Sequence, residues 1–223
     1  MASVSAPFQE QAPLPPEQRF LIRAIEWQTY RTISEALKGR HLRLTYDQGN
    51  LELMTISGTH GNCSRLLGRF VFVLAEEYNR TVRSFGDMTC ASEELDRGVE
   101  SDESFYLTNE PVVRDKEEID LATDPPPDLM LEIDIRRSSR TRMAIYAAMR
   151  VPEVWQFNGE TLHVWRLDAD GNYVSSDTSQ YFPSLPISEL AVFLQRRTQM
   201  DEVSLVRSFR AWVGDQLAKK NQP

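Results

Sequence analysis

Three carboxylates with alternate spacing lie in one apolar segment of the chain. The segment DLMLEIDI (residues 128–135) is typical of a β-strand, in which successive side chains point to opposite faces. Asp128, Glu132 and Asp134 would therefore share one face with Met130, with no basic residue among them. Like charges this close repel unless a cation lies between them, and Mg²⁺ prefers such oxygen ligands. The spacing thus favours a metal site, and the alternative is a half-exposed strand with its polar face in water.

The segment that follows, residues 136–150, is strongly basic and contains no acidic residue. Its five arginines are Arg136, Arg137, Arg140, Arg142 and Arg150. A helix over 138–149, capped by Ser138 or Ser139, would place some of them in its first turn, where the helix dipole favours anions instead. Guanidinium groups at a helix start can bind phosphate, so this arrangement suits metal-assisted attack on a phosphodiester. The alternative is that these arginines pair with the surplus of acids elsewhere.

The patterns around these residues predict an α/β fold, a mixed β-sheet flanked by helices. Helical spacing covers residues 24–38, 60–78 and 138–149, and one or two amphipathic helices run from Ile187 to near Leu217. Strand patterns cover 42–55 as a hairpin around Gln48-Gly49-Asn50, 104–107, 128–135, and 153–167 as a hairpin turning at Asn158-Gly159. We expect a disordered arm over residues 1–19 and a single domain over 20–217.

Composition limits the class of protein and the cellular compartment that we expect for this chain. The 223 residues carry a formal net charge of −8, which argues against an overall basic surface for binding nucleic acid. A nucleic acid would therefore have to bind at a local basic patch. No apolar stretch is long enough to span a membrane, and the first residues lack a secretion signal. Cys63 and Cys90 have no metal-site spacing and are expected to be free thiols, as in a cytoplasmic protein.

Several longer blocks resemble a known family. YDQGNLELM, VESDESFYLTNE, IDLATDPPPDLMLEIDI and IYAAMRVPEVWQFNGETLHVW are similar to the putative restriction endonuclease family, a bacterial group of the PD-(D/E)xK nuclease superfamily. The resemblance extends from about residue 24 to about residue 213. It implies a restriction-endonuclease-like core, a mixed sheet of about five strands between helices.

The resemblance also implies a set of site residues. By motif, the two metal ligands are Asp102 in VESDES and Glu132 in LEIDI, which would bind Mg²⁺ or Mn²⁺. His60 in ISGTH could ligate the metal or relay a proton, although a histidine that opens a helix is more often structural. Glu52 in GNLELM also matches the family, but an acid in a half-exposed strand needs no function.

The chain departs from the family pattern at four positions. Ser101 replaces the proline before the first aspartate, and Asp134 replaces the superfamily lysine. Relatives that supply a lysine from the next helix have it where this chain has Arg142, and Arg150 replaces a glycine. Arginine stays protonated and cannot act as a base, but it can stabilise negative charge.

These observations leave three functional hypotheses. The first is a metal-dependent DNA endonuclease in which Asp102 and Glu132 hold the metal, Asp134 helps to position it, and Arg142 stabilises the transition state. The second is a catalytically degenerate nuclease-fold module that binds nucleic acid or a protein. The third is a metal-dependent hydrolase of another phosphoester. Because many nucleases of this fold pair to cut both strands, we also expect a homodimer.

Overall fold

Two neighbouring β-strands join at the turn that the sequence predicts. In the computed structural model, which describes residues 17–135 and 140–220, residues 42–47 and 50–55 pair as an antiparallel hairpin. Gln48 and Gly49 both have positive φ, at 47° and 85°, as the two central residues of a type I′ turn require. Residues 1–16 of the predicted arm lie outside the described residues, and the arm's last residue, Arg19, begins a strand.

The strands form two sheets, whereas the sequence patterns predict one. The first sheet is antiparallel and has the spatial order β1 (Arg19–Ile22), β3 (Asn50–Thr55), β2 (Leu42–Asp47), β6 (Arg97–Glu100) and β5 (Thr89–Ser92). The second has the order β11 (Tyr173–Ser176), β10 (Leu162–Leu167), β9 (Glu153–Phe157), β8 (Leu129–Ile133), β7 (Glu103–Tyr106) and β4 (Arg83–Gly86). The second sheet is mixed, since β8 runs parallel to β9 and antiparallel to β7.

Helices of very different lengths flank these sheets. They are α1 (Trp27–Leu37), α2 (Gly58–Glu77), α3 (Glu110–Val113), α4 (Arg140–Ala148), α5 (Leu190–Gln195) and α6 (Glu202–Lys220). Helix α4 connects the parallel strands β8 and β9, as the predicted strand–helix–hairpin order requires. The capping serines predicted for it, Ser138 and Ser139, lie outside the described residues. The expected α/β class, a mixed sheet between helices, is confirmed.

Strand β8 is buried on both of its faces. Leu129, Leu131 and Ile133 belong to the main core, which α2, α5 and α6 cover. On the opposite face, Met130 packs in a second cluster with residues of the first sheet and with residues of α4, including Tyr146. The alternative of a half-exposed strand with a polar face in water is therefore wrong, because the first sheet and α4 cover that face.

The remaining features of the described residues agree with an ordinary folded core. Cys63 and Cys90 are free and fully buried. Among the described residues, no helix combines the length and the apolar character that a membrane span requires. Helix α6 packs its buried residues, Leu205, Phe209 and Val213, into the main core.

Candidate active site

Asp102 lies in the short link between β6 and β7, where it is fixed by three donors from three different elements. Its Oδ2 accepts a hydrogen bond from the backbone N–H of Ile133 at 2.8 Å. Its Oδ1 lies 2.8 Å from Nε2 of His60 and 3.2 Å from Nε of Arg43. The predicted aspartate thus has one defined orientation, beside the last residue of β8.

These contacts keep Asp102 ionised. Burial by itself raises the pKa of this carboxyl, but the hydrogen bond and charge of His60, with the charges of Arg142 and Arg43, outweigh burial. The result is a pKa of about 2. At neutral pH the residue is therefore a buried carboxylate, the form that ligates metal ions.

Glu132 lies beside Asp102 in the centre of the second sheet. Strands β7 and β8 pair with Glu103 opposite Leu131, so the next step along this antiparallel pair brings residue 102 beside residue 132. Oε1 of Glu132 accepts hydrogen bonds from Nη2 of Arg142, at 2.8 Å, and from the Tyr146 hydroxyl. Its Oε2 is buried and has no hydrogen-bond partner among the described residues.

The two carboxylates have opposite pKa shifts. Burial raises the pKa of Glu132; the charge of Arg142 lowers it, and the charges of Asp102 and Asp134 raise it further, to about 8. Glu132 thus holds a proton over much of the neutral range while Asp102 does not. Such a difference between adjacent carboxyl groups is common at functional sites.

Arg142 points from α4 into this cluster instead of out to solvent. Its Nη2 also donates to the backbone carbonyl of Glu100, at 2.5 Å, and the residue is 2% exposed. Although burial lowers the pKa of Arg142, the charge of Glu132 and the other acids raise it well above the ordinary value. For this arginine, pairing with an acid is confirmed. Arg136 and Arg137 lie outside the described residues, and Arg150 is exposed.

Asp134 follows β8 and is held from two sides. Its Oδ2 accepts a hydrogen bond from Nε2 of Gln156 at 2.7 Å, and its Oδ1 lies 3.7 Å from Nη2 of Arg19. The Gln156 side chain is itself fixed, because its Oε1 accepts from the indole N–H of Trp165 at 3.0 Å. Asp134 is therefore a buried, oriented carboxylate two residues beyond Glu132.

His60 lies in the first turn of α2, whose N-cap is Ser57. The Ser57 hydroxyl accepts from the His60 backbone N–H at 3.2 Å, which fixes the start of the helix. One ring nitrogen faces Asp102, and the other, Nδ1, lies 3.2 Å from Oε1 of Glu17. The structure therefore brings His60 to the candidate site, in contact with one of the two predicted ligands.

Two other acids that the sequence singled out lie apart from this pair. Asp128, at the opposite end of β8, accepts hydrogen bonds from the backbone N–H groups of Leu107 and Asn109, at 2.7 and 2.8 Å, and so anchors a loop. Glu52 on β3 is half-buried and pairs with Arg19 at 3.3 Å. Neither residue contacts Asp102 or Glu132 through an observed hydrogen bond.

Sequence reasoning missed four residues of the site: Glu17, Arg43, Glu100 and Tyr146. Tyr146 carried a usable signal, since it follows Arg142 by four positions and so shares its helix face. Arg43 carried none, because it reaches Asp102 from a strand 59 positions earlier in the chain.

The side chains at this site are suited to bind a divalent cation through two carboxylates. The unpartnered Oε2 of Glu132 and the ionised Asp102 offer oxygen ligands, and Mg²⁺ often binds through one or two carboxylates with water and substrate phosphate completing its shell. Among the described residues, no three His, Cys, Asp or Glu side chains form a cluster that could hold a metal ion.

Comparison with known proteins identifies the family. The model of the Uma2 family, described as "Putative restriction endonuclease", matches residues 27–198. The chain belongs to this family. Among curated proteins, none matches the chain. One solved structure that it resembles is a putative nuclease belonging to DUF820 from Anabaena variabilis, with 15% identity, 76% of this chain and 90% of that chain covered, and a TM-score of 0.45. Membership of the family supports a nuclease-like function.

Proposed function

We propose that the chain is a metal-dependent nuclease that hydrolyses phosphodiester bonds of DNA, with Mg²⁺ or Mn²⁺ held by Asp102 and Glu132. The observation that carries the metal part is the buried, unpartnered Oε2 of Glu132 beside an ionised aspartate. Leaving a buried carboxyl oxygen without a partner is unfavourable, and a divalent cation that displaces the Glu132 proton would ligate it. The family supports the nuclease part.

The side chains around the pair have distinct roles in this proposal. The cation, when bound, acts as a Lewis acid toward a phosphoryl oxygen. Arg142 holds Glu132 in place and, because it remains protonated, stabilises negative charge and does not accept a proton. Asp134, oriented by Gln156, helps to position the cation, and His60 holds Asp102.

One observation favours the second function, a degenerate nuclease-fold module that binds nucleic acid or a protein partner without cleavage. Nη2 of Arg142 already donates a hydrogen bond to Oε1 of Glu132 at 2.8 Å. A cation must therefore share this carboxylate with an arginine. If this function is correct, divalent metal binds weakly and replacement of Glu132 changes little besides stability.

The remaining parts of the proposal concern partner, assembly and compartment. The family favours a nucleic acid as substrate, and we propose DNA, bound through local basic groups since the net charge is −8. We also propose a homodimer, which would place two sites on the two strands of a duplex. The two buried free thiols fit a reducing compartment such as the cytoplasm.

The test combines metal binding with cleavage. Mn²⁺ is titrated calorimetrically into the wild type and into Glu132→Gln, which keeps the size of the side chain but cannot ionise. Supercoiled plasmid is incubated with the same samples and Mn²⁺ or Mg²⁺. Glu26→Gln is the matched control, because Glu26 is an exposed acid that loses the same charge away from the pair.

The outcomes separate the two functions. Binding and nicking by the wild type and the control, with both lost in Glu132→Gln, support the nuclease. DNA binding without Mn²⁺ binding or nicking supports the degenerate module. Nicking that survives Glu132→Gln unchanged contradicts the assignment of the site, whichever function is correct.

A further inference from the structure

Glu17 precedes the segment that the family model matches, yet it reaches the candidate site. The match begins at residue 27. Strand β1 pairs antiparallel with β3, so the start of β1 lies at the end of β3, where the chain turns into α2. The backbone N–H of Thr55 donates to the carbonyl of Gln18 at 3.0 Å, and this bond fixes the backbone next to Glu17.

The Glu17 carboxylate is buried and is directed at the start of α2. Only 6% of its side chain is exposed. Its Oε1 accepts from the Ser57 hydroxyl at 3.3 Å and lies 3.2 Å from Nδ1 of His60. A carboxylate is buried at a high free-energy cost unless hydrogen bonds compensate it, so these two contacts are what keeps Glu17 in place.

The imidazole of His60 is therefore held at both nitrogens. Nδ1 faces Glu17 and Nε2 faces Asp102, at 3.2 and 2.8 Å, and the His60 side chain is 1% exposed. A ring with one nitrogen bound rotates about its side-chain torsions, whereas a ring bound at both has a fixed plane. His60 then directs Nε2 at one defined position, so Glu17 fixes one of the three donors that orient Asp102.

We propose that Glu17 is a positioning residue of the active site, which acts on Asp102 through His60. The inference rests on the proposed function, in which Asp102 ligates a divalent cation. Side chains that hydrogen-bond directly to metal ligands typically change metal affinity about 10- to 100-fold when they are replaced, and Glu17 acts one contact further away, so we expect an effect near the lower value. This role for Glu17 extends the active site to residues that precede the segment matched by the family model.

The test is the dissociation constant of Mn²⁺, measured calorimetrically for the wild type, Glu17→Gln and the exposed control Glu26→Gln at one pH. We expect roughly tenfold weaker binding for Glu17→Gln and no change for the control. The thermal midpoint Tm of each variant is measured in parallel, and titrations are made well below it. A merely structural role for Glu17 would lower Tm and leave the dissociation constant of the folded protein unchanged.

A double-mutant cycle shows whether Glu17 acts through His60. In a His60→Gln background, Glu17→Gln should have no further effect on Mn²⁺ affinity, since the link to Asp102 is already broken. Equal effects of Glu17→Gln in both backgrounds would overturn the inference, and so would an unchanged affinity in the single variant. Failure of the wild type to bind Mn²⁺ would overturn the proposed function and this inference together.

Discussion

The pKa of Glu132 predicts that metal binding depends steeply on pH. A cation competes with the proton for this carboxylate, since only the ionised form is a ligand. With a pKa of about 8, Glu132 is about 1% ionised at pH 6 and almost fully ionised above pH 9. Asp102, with a pKa of about 2, is ionised over this whole pH range and so does not contribute to the pH dependence of Mn²⁺ binding. We therefore expect Mn²⁺ to bind about 100-fold more weakly at pH 6 than at pH 9.

The assay is calorimetric titration of Mn²⁺ at each pH, in pairs of buffers with different ionisation enthalpies. The comparison of buffers counts the protons released on binding, which should be about one per Mn²⁺ at pH 6–7 and near zero at pH 9. Glu132→Gln should lose both the affinity and its pH dependence.

Glu103 is the group that could imitate this behaviour. Burial, together with the charges of Asp87 and Asp102, raises its pKa to about 7, and it lies next to Asp102 in sequence. Glu103→Gln is therefore the matched control and should retain the slope between pH 7 and 8. A dissociation constant that is constant from pH 6 to 9, or a slope that vanishes in Glu103→Gln, would refute the reasoning.

Two further predictions concern Arg142, and a third concerns the packing of the first sheet against α1. Arg142→Lys introduces a side chain that can lose its proton, and we expect single-turnover plasmid nicking to rise at least about tenfold; an unchanged or lower rate would contradict this role. Arg142→Met leaves Glu132 buried without the guanidinium group that pairs with it. It should lower the free energy of unfolding by roughly 3–5 kcal/mol at pH 9, measured by urea titration, and by less at pH 6, where Glu132 is protonated. Equal losses at both pH values would show that the ion pair is not the cause. Gly98→Ala would place a Cβ 2.1 Å from the Tyr30 hydroxyl, so we expect a loss of roughly 1–3 kcal/mol in urea titration with unchanged Mn²⁺ affinity. Full stability in Gly98→Ala would mean that Tyr30 moves aside freely.

Local sequence signals were sufficient for the elements that carry the site. The turn at Gln48-Gly49 gives the first hairpin, and the alternating apolar residues of 128–135 give β8. These features depend on backbone preferences and on side-chain periodicity, which are properties of consecutive residues. Residues 140–148 form the predicted helix, and 153–167 the predicted second hairpin.

The candidate site was only partly accessible to the same reasoning. Glu132 follows from its spacing within one strand, whereas Asp102 and His60 were found through the resemblance to a family. The structure brings both of them to β8, through contacts that join Asp102 to Ile133 and His60 to Asp102. The resemblance could not show that Arg142 turns inward and takes one oxygen of Glu132.

The sequence by itself thus determined the two hairpins at 42–55 and 153–167, strand β8 with its acids, helix α4 and the family. Tertiary structure decided that the polar face of β8 is buried, because the first sheet and α4 cover it. It also decided which side chains meet, since Arg43 and Glu17 reach the site from 59 residues before Asp102 and 43 residues before His60. Periodicity reports the surroundings of a residue's own strand or helix, whereas contacts over such separations depend on strand pairing and packing across the whole chain.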